Sequence, residues 1–225
     1  MIDNQLRKVA QKVFWGWVLA SYSAADRRQM VKSILTEKDA IIASGMPLAN
    51  MQLISVEQFK AKLSFDWFVR DAPQTIKIAK DSGIPLRDIY ELYIIGSANF
   101  LLNQVYGEST TFNHVNFTEE KQLEICWQFV IGMISSSLTK NFKETMLNKE
   151  KLAVSLAQKR GLSQDEIIKL IIESNNEAMD FSQFKKDLPS VLKVFQLGGI
   201  ENEQKIFEDF KILLAYLFYQ FATKQ

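Results

Sequence analysis

The stretch "KIAKDSGIPLRDIYELYIIGSANFLLNQV", residues 77–105, decides the fold of this chain. Its first half ends in a Ser-Gly-Ile-Pro step, where Gly83 is able to take a positive φ at a helix end and Pro85 is able to open the next helix. From Tyr93 to the end of the stretch there is no charged residue. Because a helix without charge has no strongly polar face to show to water, we expect a two-helix unit packed inside a larger helical core.

The rest of the chain has the same helical character. Its 225 residues are 47% hydrophobic and 24% charged, which is enough for one large domain or two small ones. Apolar residues recur at helical spacing and prolines and glycines are few, so the predicted class is all-α. We expect one helical domain over residues 1–225 with about ten helices in an orthogonal or irregular bundle, or two subdomains that meet near a polar loop at 107–117. The predicted helices cover residues 4–22, 24–44, 55–69, 73–81, 85–106, 118–138, 140–159, 163–175, 177–197 and 201–223.

Several helix ends carry their own signals. Ser55 in "SVEQ" and Ser163 in "SQDE" fit the capping box, in which a serine hydroxyl and a later Gln or Glu satisfy the free amides of a helix start. The "SGMP" at 44–47 repeats the glycine-proline step of the opening stretch. Gly198-Gly199 predicts the turn into a last helix with an apolar stripe. The stripe consists of Ile206, Phe210, Leu213, Leu214, Leu217 and Phe221.

Composition excludes several classes of protein. The chain has 27 Lys and Arg against 26 Asp and Glu, so it has no overall field to hold a polyanion or an acidic membrane surface. Its single cysteine, Cys126, lies between large apolar residues, which excludes a disulfide within the chain and favours a buried thiol. The apolar runs are too short to cross a bilayer. We therefore expect a cytoplasmic protein with no membrane partner.

No catalytic, cofactor or metal site is predicted. His114 is the only histidine, and it lies in the polar loop without a carboxylate at ligand spacing; a role as general base is its alternative function. The serines of "GMISSS", residues 132–137, have no histidine nearby to activate them and are expected to let another helix approach closely. No Gly-x-Gly-x-x-Gly turn occurs, and paired carboxylates fall at predicted helix starts. We expect no cofactor and identify no small-molecule ligand.

The opening stretch also resembles the DNA-binding unit of the tetracycline-repressor type. The matching positions are Ile78-Ala79, Gly83-Ile84, Ile89-Tyr90 and Tyr93. Within residues 73–93 the second helix would offer only Arg87 to DNA, while Asp88 and Glu91 would repel phosphates. A DNA-binding regulator with a degenerate helix-turn-helix is thus an alternative function, with Arg87 as its DNA contact, and nucleic acid is not the expected partner.

A second resemblance covers residues on both sides of Tyr93. Ile76, Ile78 and Ala79 lead to Gly83 and Pro85, and a helix then runs from Ile89 and Tyr93 through Phe100, Leu102 and Val105 to a later helix that begins at Trp127. In this order and spacing, about residues 30–198 resemble the C-terminal helical region of the long bacterial NAD-specific glutamate dehydrogenases. The resemblance implies a non-catalytic part of a longer enzyme, with the dinucleotide and substrate sites outside it. Its role would be subunit association or regulation.

Aromatic side chains are abundant, with 16 Phe, 6 Tyr and 4 Trp. Trp15 and Trp17 crowd around one glycine, and Tyr216, Phe218 and Tyr219 lie off the main stripe of the last helix. Because exposed aromatic clusters are costly, these five are candidates for an interface with another copy or with a catalytic domain, if they are not part of the core. A stand-alone helical adaptor or immunity-type protein that binds one protein partner is the remaining alternative.

Overall fold

The computed structural model describes residues 4–21, 43–45, 48–71, 73–106, 117–175 and 179–223. These residues form eleven helices and no strand, so the all-α prediction is confirmed. In chain order the helices are α1 (Asn4–Ser21), α2 (Leu48–Lys62), α3 (Phe65–Asp71), α4 (Pro73–Ser82), α5 (Leu86–Tyr106), α6 (Glu119–Ser137), α7 (Lys140–Lys159), α8 (Gln164–Asn175), α9 (Phe181–Asp187), α10 (Pro189–Leu197) and α11 (Glu203–Thr223).

The charge-free helix of the opening stretch is α5, and it lies in the core. Gly83 takes φ 71° in the turn after α4, as its place before a proline predicts. Residues 92–98 of α5 are buried without interruption, and the helix packs against α1, α2, α3, α4 and α6. Its buried polar groups are paired: the Tyr90 hydroxyl donates to the Leu63 carbonyl at 2.7 Å, and the Ser97 hydroxyl donates to the Tyr93 carbonyl at 2.7 Å.

Helix α1 packs against α10, which lies far from it in the sequence. It crosses α10 so closely that a Cβ on Gly16 would overlap the carbonyl oxygen of Val194, and one on Gly198 would overlap that of Lys12. Buried side chains from α1 to α11 form one continuous cluster. The loop at which two subdomains were expected to meet lies outside the described residues except for Phe117.

The capping box at Ser163 is confirmed. The Ser163 amide donates to Glu166 Oε2 at 2.8 Å, and the Glu166 amide donates back to Ser163 Oγ at 3.4 Å. The Ser163 hydroxyl also donates to the same carboxylate, at 2.7 Å. That bond and the amide bond lower the pKa of Glu166, because they favour its charged form.

The predicted helix start at Ser55 is wrong. Ser55 is buried in the middle of α2, which begins at Leu48 and ends at Lys62. The chain then starts α3, where Ser64 Oγ accepts the amide of Trp67 at 3.2 Å. A Ser-x-x-Gln pattern marks a helix start only where the preceding residues do not continue the helix, and here they do.

The single helix predicted at 177–197 is two helices. Asp180 caps α9 by accepting the amide of Gln183 at 2.7 Å, and Pro189 begins α10. Proline has no amide hydrogen and its ring clashes with the preceding turn, so a new helix starts there. The helix predicted at 24–44 lies almost wholly outside the described residues, as do the last two residues of "SGMP", whose Gly45 has φ 60°.

The last helix confirms its predicted stripe. Ile206, Phe210 and Leu213 are fully buried, as are Leu214 and Leu217, whereas Phe221 is half-buried. Helices α7 and α8 both pack against α11, and α6 packs beside them. No helix within the described ranges combines the length and the apolar content that crossing a bilayer requires.

Candidate association surface

The tryptophans proposed for an interface mostly face the core. Trp17 is half-buried and its ring lies 4.5 Å from that of Phe129 and 5.6 Å from that of Tyr93. Trp15 is also half-buried, and its indole occupies the space that a side chain at Gly96 would fill. The absence of a Cβ at Gly96 thus allows α1 to lie against α5. Both tryptophans keep a partial exposure.

The aromatic residues proposed on the last helix divide into two groups. Tyr216 and Phe218 are buried, and Tyr216 packs edge-on against Trp127 with ring centroids 5.1 Å apart. Phe218 lies 6.5 Å from the ring of Phe142 on α7. Tyr219 is half-buried. Tyr216 and Phe218 therefore belong to the core of the chain, because α11 is covered by α6, α7 and α8 on more than its main stripe.

The geometry around Arg87 does not favour a DNA-reading helix. Arg87 is exposed in the first turn of α5, and its guanidinium lies over the Phe65 ring, 4.9 Å from the centroid. A recognition helix has to present a side to the major groove. In α5 residues 92–98 are buried on every side, so this part of the helix is closed to a ligand.

The remaining candidates for chemistry are tied up or lie outside the described residues. His114 belongs to the undescribed loop. Cys126 is fully buried, which raises the pKa of its thiol and leaves it unreactive. The hydroxyls of Ser136 and Ser137 both donate to the Met133 carbonyl, at 2.8 and 2.9 Å. No group of three metal-ligating side chains comes together in the part of the chain that the structure describes.

The small residues of the "GMISSS" segment do allow a close approach. A Cβ on Gly132 would lie 3.0 Å from the Ile78 carbonyl oxygen and 3.0 Å from the Ser82 Cβ, both on α4. Helices α4 and α6 pack extensively at this point. The expectation that another helix lies close to this segment is confirmed.

The most exposed large apolar side chains of the described residues lie on the hairpin of α7 and α8. Leu152 is 67% exposed, and Leu156 and Leu170 are each 48% exposed. Leu152 and Leu156 are one turn apart on α7, and Leu152 lies opposite the buried Val154 in the helical period. We call these three leucines the leucine face.

The two helices of the hairpin are antiparallel and are tied together near the turn and at the far end. Near the turn the Leu162 amide donates to the Ala157 carbonyl at 3.1 Å, and at the far end Lys149 Nζ donates to the Ser174 carbonyl at 3.3 Å. Leu170 lies between these two ties, alongside the half of α7 that carries Leu152 and Leu156. The sequence does not predict this face, because the exposure of a leucine depends on which helices cover it.

Charge on the hairpin is divided between its two helices. Helix α7 carries mostly basic residues: Lys140, Lys143, Lys149, Lys151 and Lys159, against Glu144 and the buried Glu150. Helix α8 carries mostly acidic ones: Asp165, Glu166 and Glu173, against Lys169. The hairpin thus pairs a mostly basic helix with a mostly acidic one.

Polar groups lie on the inside of the same hairpin. Glu150 is 1% exposed and accepts a hydrogen bond from the Ser174 hydroxyl at 3.1 Å. Burial raises the pKa of Glu150, while the Ser174 hydrogen bond and the Lys149 charge oppose that rise. Asn175 is 3% exposed, and neither its amide oxygen nor its amide nitrogen has a hydrogen-bond partner among the described residues.

The hairpin thus has three leucines outside, and it has a carboxyl and an amide inside among its buried apolar residues. A buried polar group without a partner costs about 1–3 kcal/mol of stability. Leu152, which is 67% exposed, adds little buried apolar area to offset this cost. The leucine face has no reactive group, so its capacity is for binding.

No family model matches this chain, and no curated protein or solved structure shows significant similarity to it. Of the residues that carry the glutamate dehydrogenase resemblance, Ile78, Ile89 and Tyr93 are buried in the structure, as are Ala79 and Leu102. They are positions that hold helices together.

Proposed function

We propose that this chain is a non-catalytic helical domain that associates with a second copy of itself through the leucine face. The observation that carries the proposal is the exposure of Leu152, Leu156 and Leu170 on one hairpin. Fully burying a leucine side chain contributes about 1.5–3 kcal/mol, so covering three together supports an interface. Their place on two helices that also carry charged residues is in keeping with a binding patch that has a polar rim.

Charge complementarity favours a second copy as the partner. In a two-fold contact each surface meets the same surface of its mate, turned by half a rotation. Turning the hairpin onto itself in this way sets the basic α7 of one copy against the acidic α8 of the other, twice. Like charges would instead face each other if α7 met α7, which disfavours that register.

A finer form of the proposal places this association within a long NAD-specific glutamate dehydrogenase. It is supported by the resemblance around Tyr93 and Trp127. Subunit association or regulation would then serve catalytic parts outside this chain. The purified chain should form no NADH from glutamate and NAD, and turnover would contradict this form.

Sedimentation equilibrium tests the association directly. The 25.9-kDa chain should sediment as a dimer at about ten-micromolar concentration, where an interface of moderate size is populated. The double variant Leu152→Ser/Leu156→Ser should be monomeric with an unchanged helical circular dichroism spectrum. Leu197→Ser is the matched control, because Leu197 is also exposed but lies on α10. A wild-type chain that stays monomeric, or a control that dissociates equally, would contradict the proposal.

A further inference from the structure

A cavity of about 230 Å³ lies where four helices meet, away from the leucine face. Its walls come from the end of α4, the end of α6, the first half of α7 and the end of α11. The residues that line it are Asp81, Ser135, Lys143, Glu144, Leu147 and Phe221. The volume is below the range of about 300–1,000 Å³ that drug-sized ligands occupy, so any ligand is small.

Ser135 contributes a side-chain hydroxyl to the wall of this cavity. Its two neighbours, Ser136 and Ser137, satisfy their hydroxyls by donating to the Met133 carbonyl. Ser135 is 3% exposed, and its hydroxyl has no hydrogen-bond partner among the described residues. A hydroxyl on a cavity wall can both donate to and accept from a ligand group.

The charged residues of the cavity are also uncommitted. Neither the Lys143 ammonium nor the Asp81 carboxylate makes an ion pair or a hydrogen bond with any residue in the described ranges. Glu144 differs, because its carboxylate pairs with the exposed Lys140 at 3.7 Å. Among the described residues, the cavity thus offers the Lys143 ammonium, the Asp81 carboxylate and the Ser135 hydroxyl to a ligand.

The remaining lining is apolar. Phe221 and Leu147 are both half-buried, and Phe221 packs against the core. An ammonium binds a carboxylate, a carboxylate binds an amine, and apolar side chains cover methylene groups. We propose that this cavity binds a small zwitterion with an apolar portion, held by Lys143 at its acid group, by Asp81 at its amine and by Ser135 through a hydrogen bond.

Four five-carbon probes test the proposal by calorimetric titration of the full chain. L-norvaline and 5-aminopentanoate carry both charges, adjacent or separated, whereas pentanoate and pentylamine each carry one. At least one of the two zwitterions should saturate the chain and bind about tenfold more tightly than both single-charge probes, since about 1.4 kcal/mol per charged contact corresponds to that ratio. Which zwitterion binds reports whether the two charged groups of the ligand are adjacent.

Variants assign the contacts. Lys143→Met should lower the affinity for the zwitterion about tenfold and leave the affinity for pentylamine unchanged. Ser135→Ala should lower the affinity for the zwitterion about fivefold. Lys77→Met is the matched control, because it removes an exposed lysine of α4 that does not line the cavity. No saturable binding of either zwitterion, equal binding of a single-charge probe, or an equal loss in the control would overturn the proposal. The dimer variant Leu152→Ser/Leu156→Ser should bind as the wild type does, so the two proposals fail separately.

Discussion

Helix α5 and the α7–α8 hairpin use their leucines in opposite ways. In α5 every residue from 92 to 98 is buried, and the hydroxyls of Tyr90 and Ser97 have partners. In the hairpin, leucines face outward while Glu150 and the unpartnered Asn175 lie inside. The comparison separates a region built for packing from one whose arrangement costs stability in the isolated chain. A leucine surface that adds little stability to the isolated chain is explained if it is covered in an assembly.

The largest expected effect contrasts one leucine from each region. Leu92→Ala should lower the free energy of unfolding by about 3 kcal/mol, because it leaves a cavity around a fully buried position of α5. Leu152→Ala removes the same atoms from an exposed position and should change it by about 0.5 kcal/mol or less in the monomer.

Urea unfolding at a concentration too low for association measures both leucine variants. Working below the association range matters because a dimer would add its own stability to the wild type. Equal losses for the two variants would mean that the leucine face is packed after all.

The next effect concerns the amide inside the hairpin. Asn175→Leu should raise the free energy of unfolding by about 1 kcal/mol, since it replaces an unpartnered buried amide with an apolar group of similar size. Asn202→Leu is the matched control, because Asn202 Oδ1 accepts the Lys205 amide at 2.9 Å before α11.

Loss of that helix cap in the control should lower stability by about 1 kcal/mol. Thermal unfolding should therefore show a gain of stability for Asn175→Leu and a loss for Asn202→Leu. A loss of stability at both positions would show that the amide of Asn175 is satisfied.

The smallest expected effect depends on pH. Burial raises the pKa of Glu150 above its ordinary value of 4.5, so the folded chain holds this proton to higher pH than the unfolded chain does. The contribution to stability is therefore full below the unfolded pKa and is lost as pH rises through the folded pKa. The free energy of unfolding of Glu150→Gln should match that of the wild type near pH 4 and exceed it at pH 7.

Thermal unfolding across this pH range measures the Glu150 effect. Glu173→Gln is the control on the same hairpin, because Glu173 is exposed on α8. An advantage for Glu150→Gln that stays constant with pH, or that grows toward acid, would contradict the account.

Much of the core could be predicted from local patterns. The turn at Gly83 requires a positive φ, and the lack of charge after Tyr93 required burial, so α4 and α5 were fixed by chemistry within one stretch. The Ser163 cap was equally local, because both of its hydrogen-bonding partners lie within four residues. Ser55 shows the limit of such local prediction. The Ser-x-x-Gln pattern there lies inside α2, where the serine is buried.

The surfaces could not be predicted, because they depend on which helices cover which. Leu152 becomes recognisable as exposed only once Met146, Val154 and Ala157 are known to face α11 and its neighbours. Tyr216 and Phe218 were expected at an interface for the opposite reason, since nothing local shows that a second side of α11 is covered. Ser135 and Ser136 are adjacent serines, and the sequence does not show that only Ser135 of the two lines the cavity.

The central claim is that copies of this chain meet through the leucine face with α7 against α8. Charge exchange tests it most directly, by native mass spectrometry of two variants. One variant carries Lys151→Glu and Lys159→Glu on α7, and the other carries Asp165→Lys and Glu173→Lys on α8. Each variant alone should be monomeric, because its dimer would set like charges together, and the mixture should form a heterodimer in which both contacts are again opposite in charge. Homodimers of either variant, or a mixture that stays monomeric while the wild type dimerises, would contradict the account.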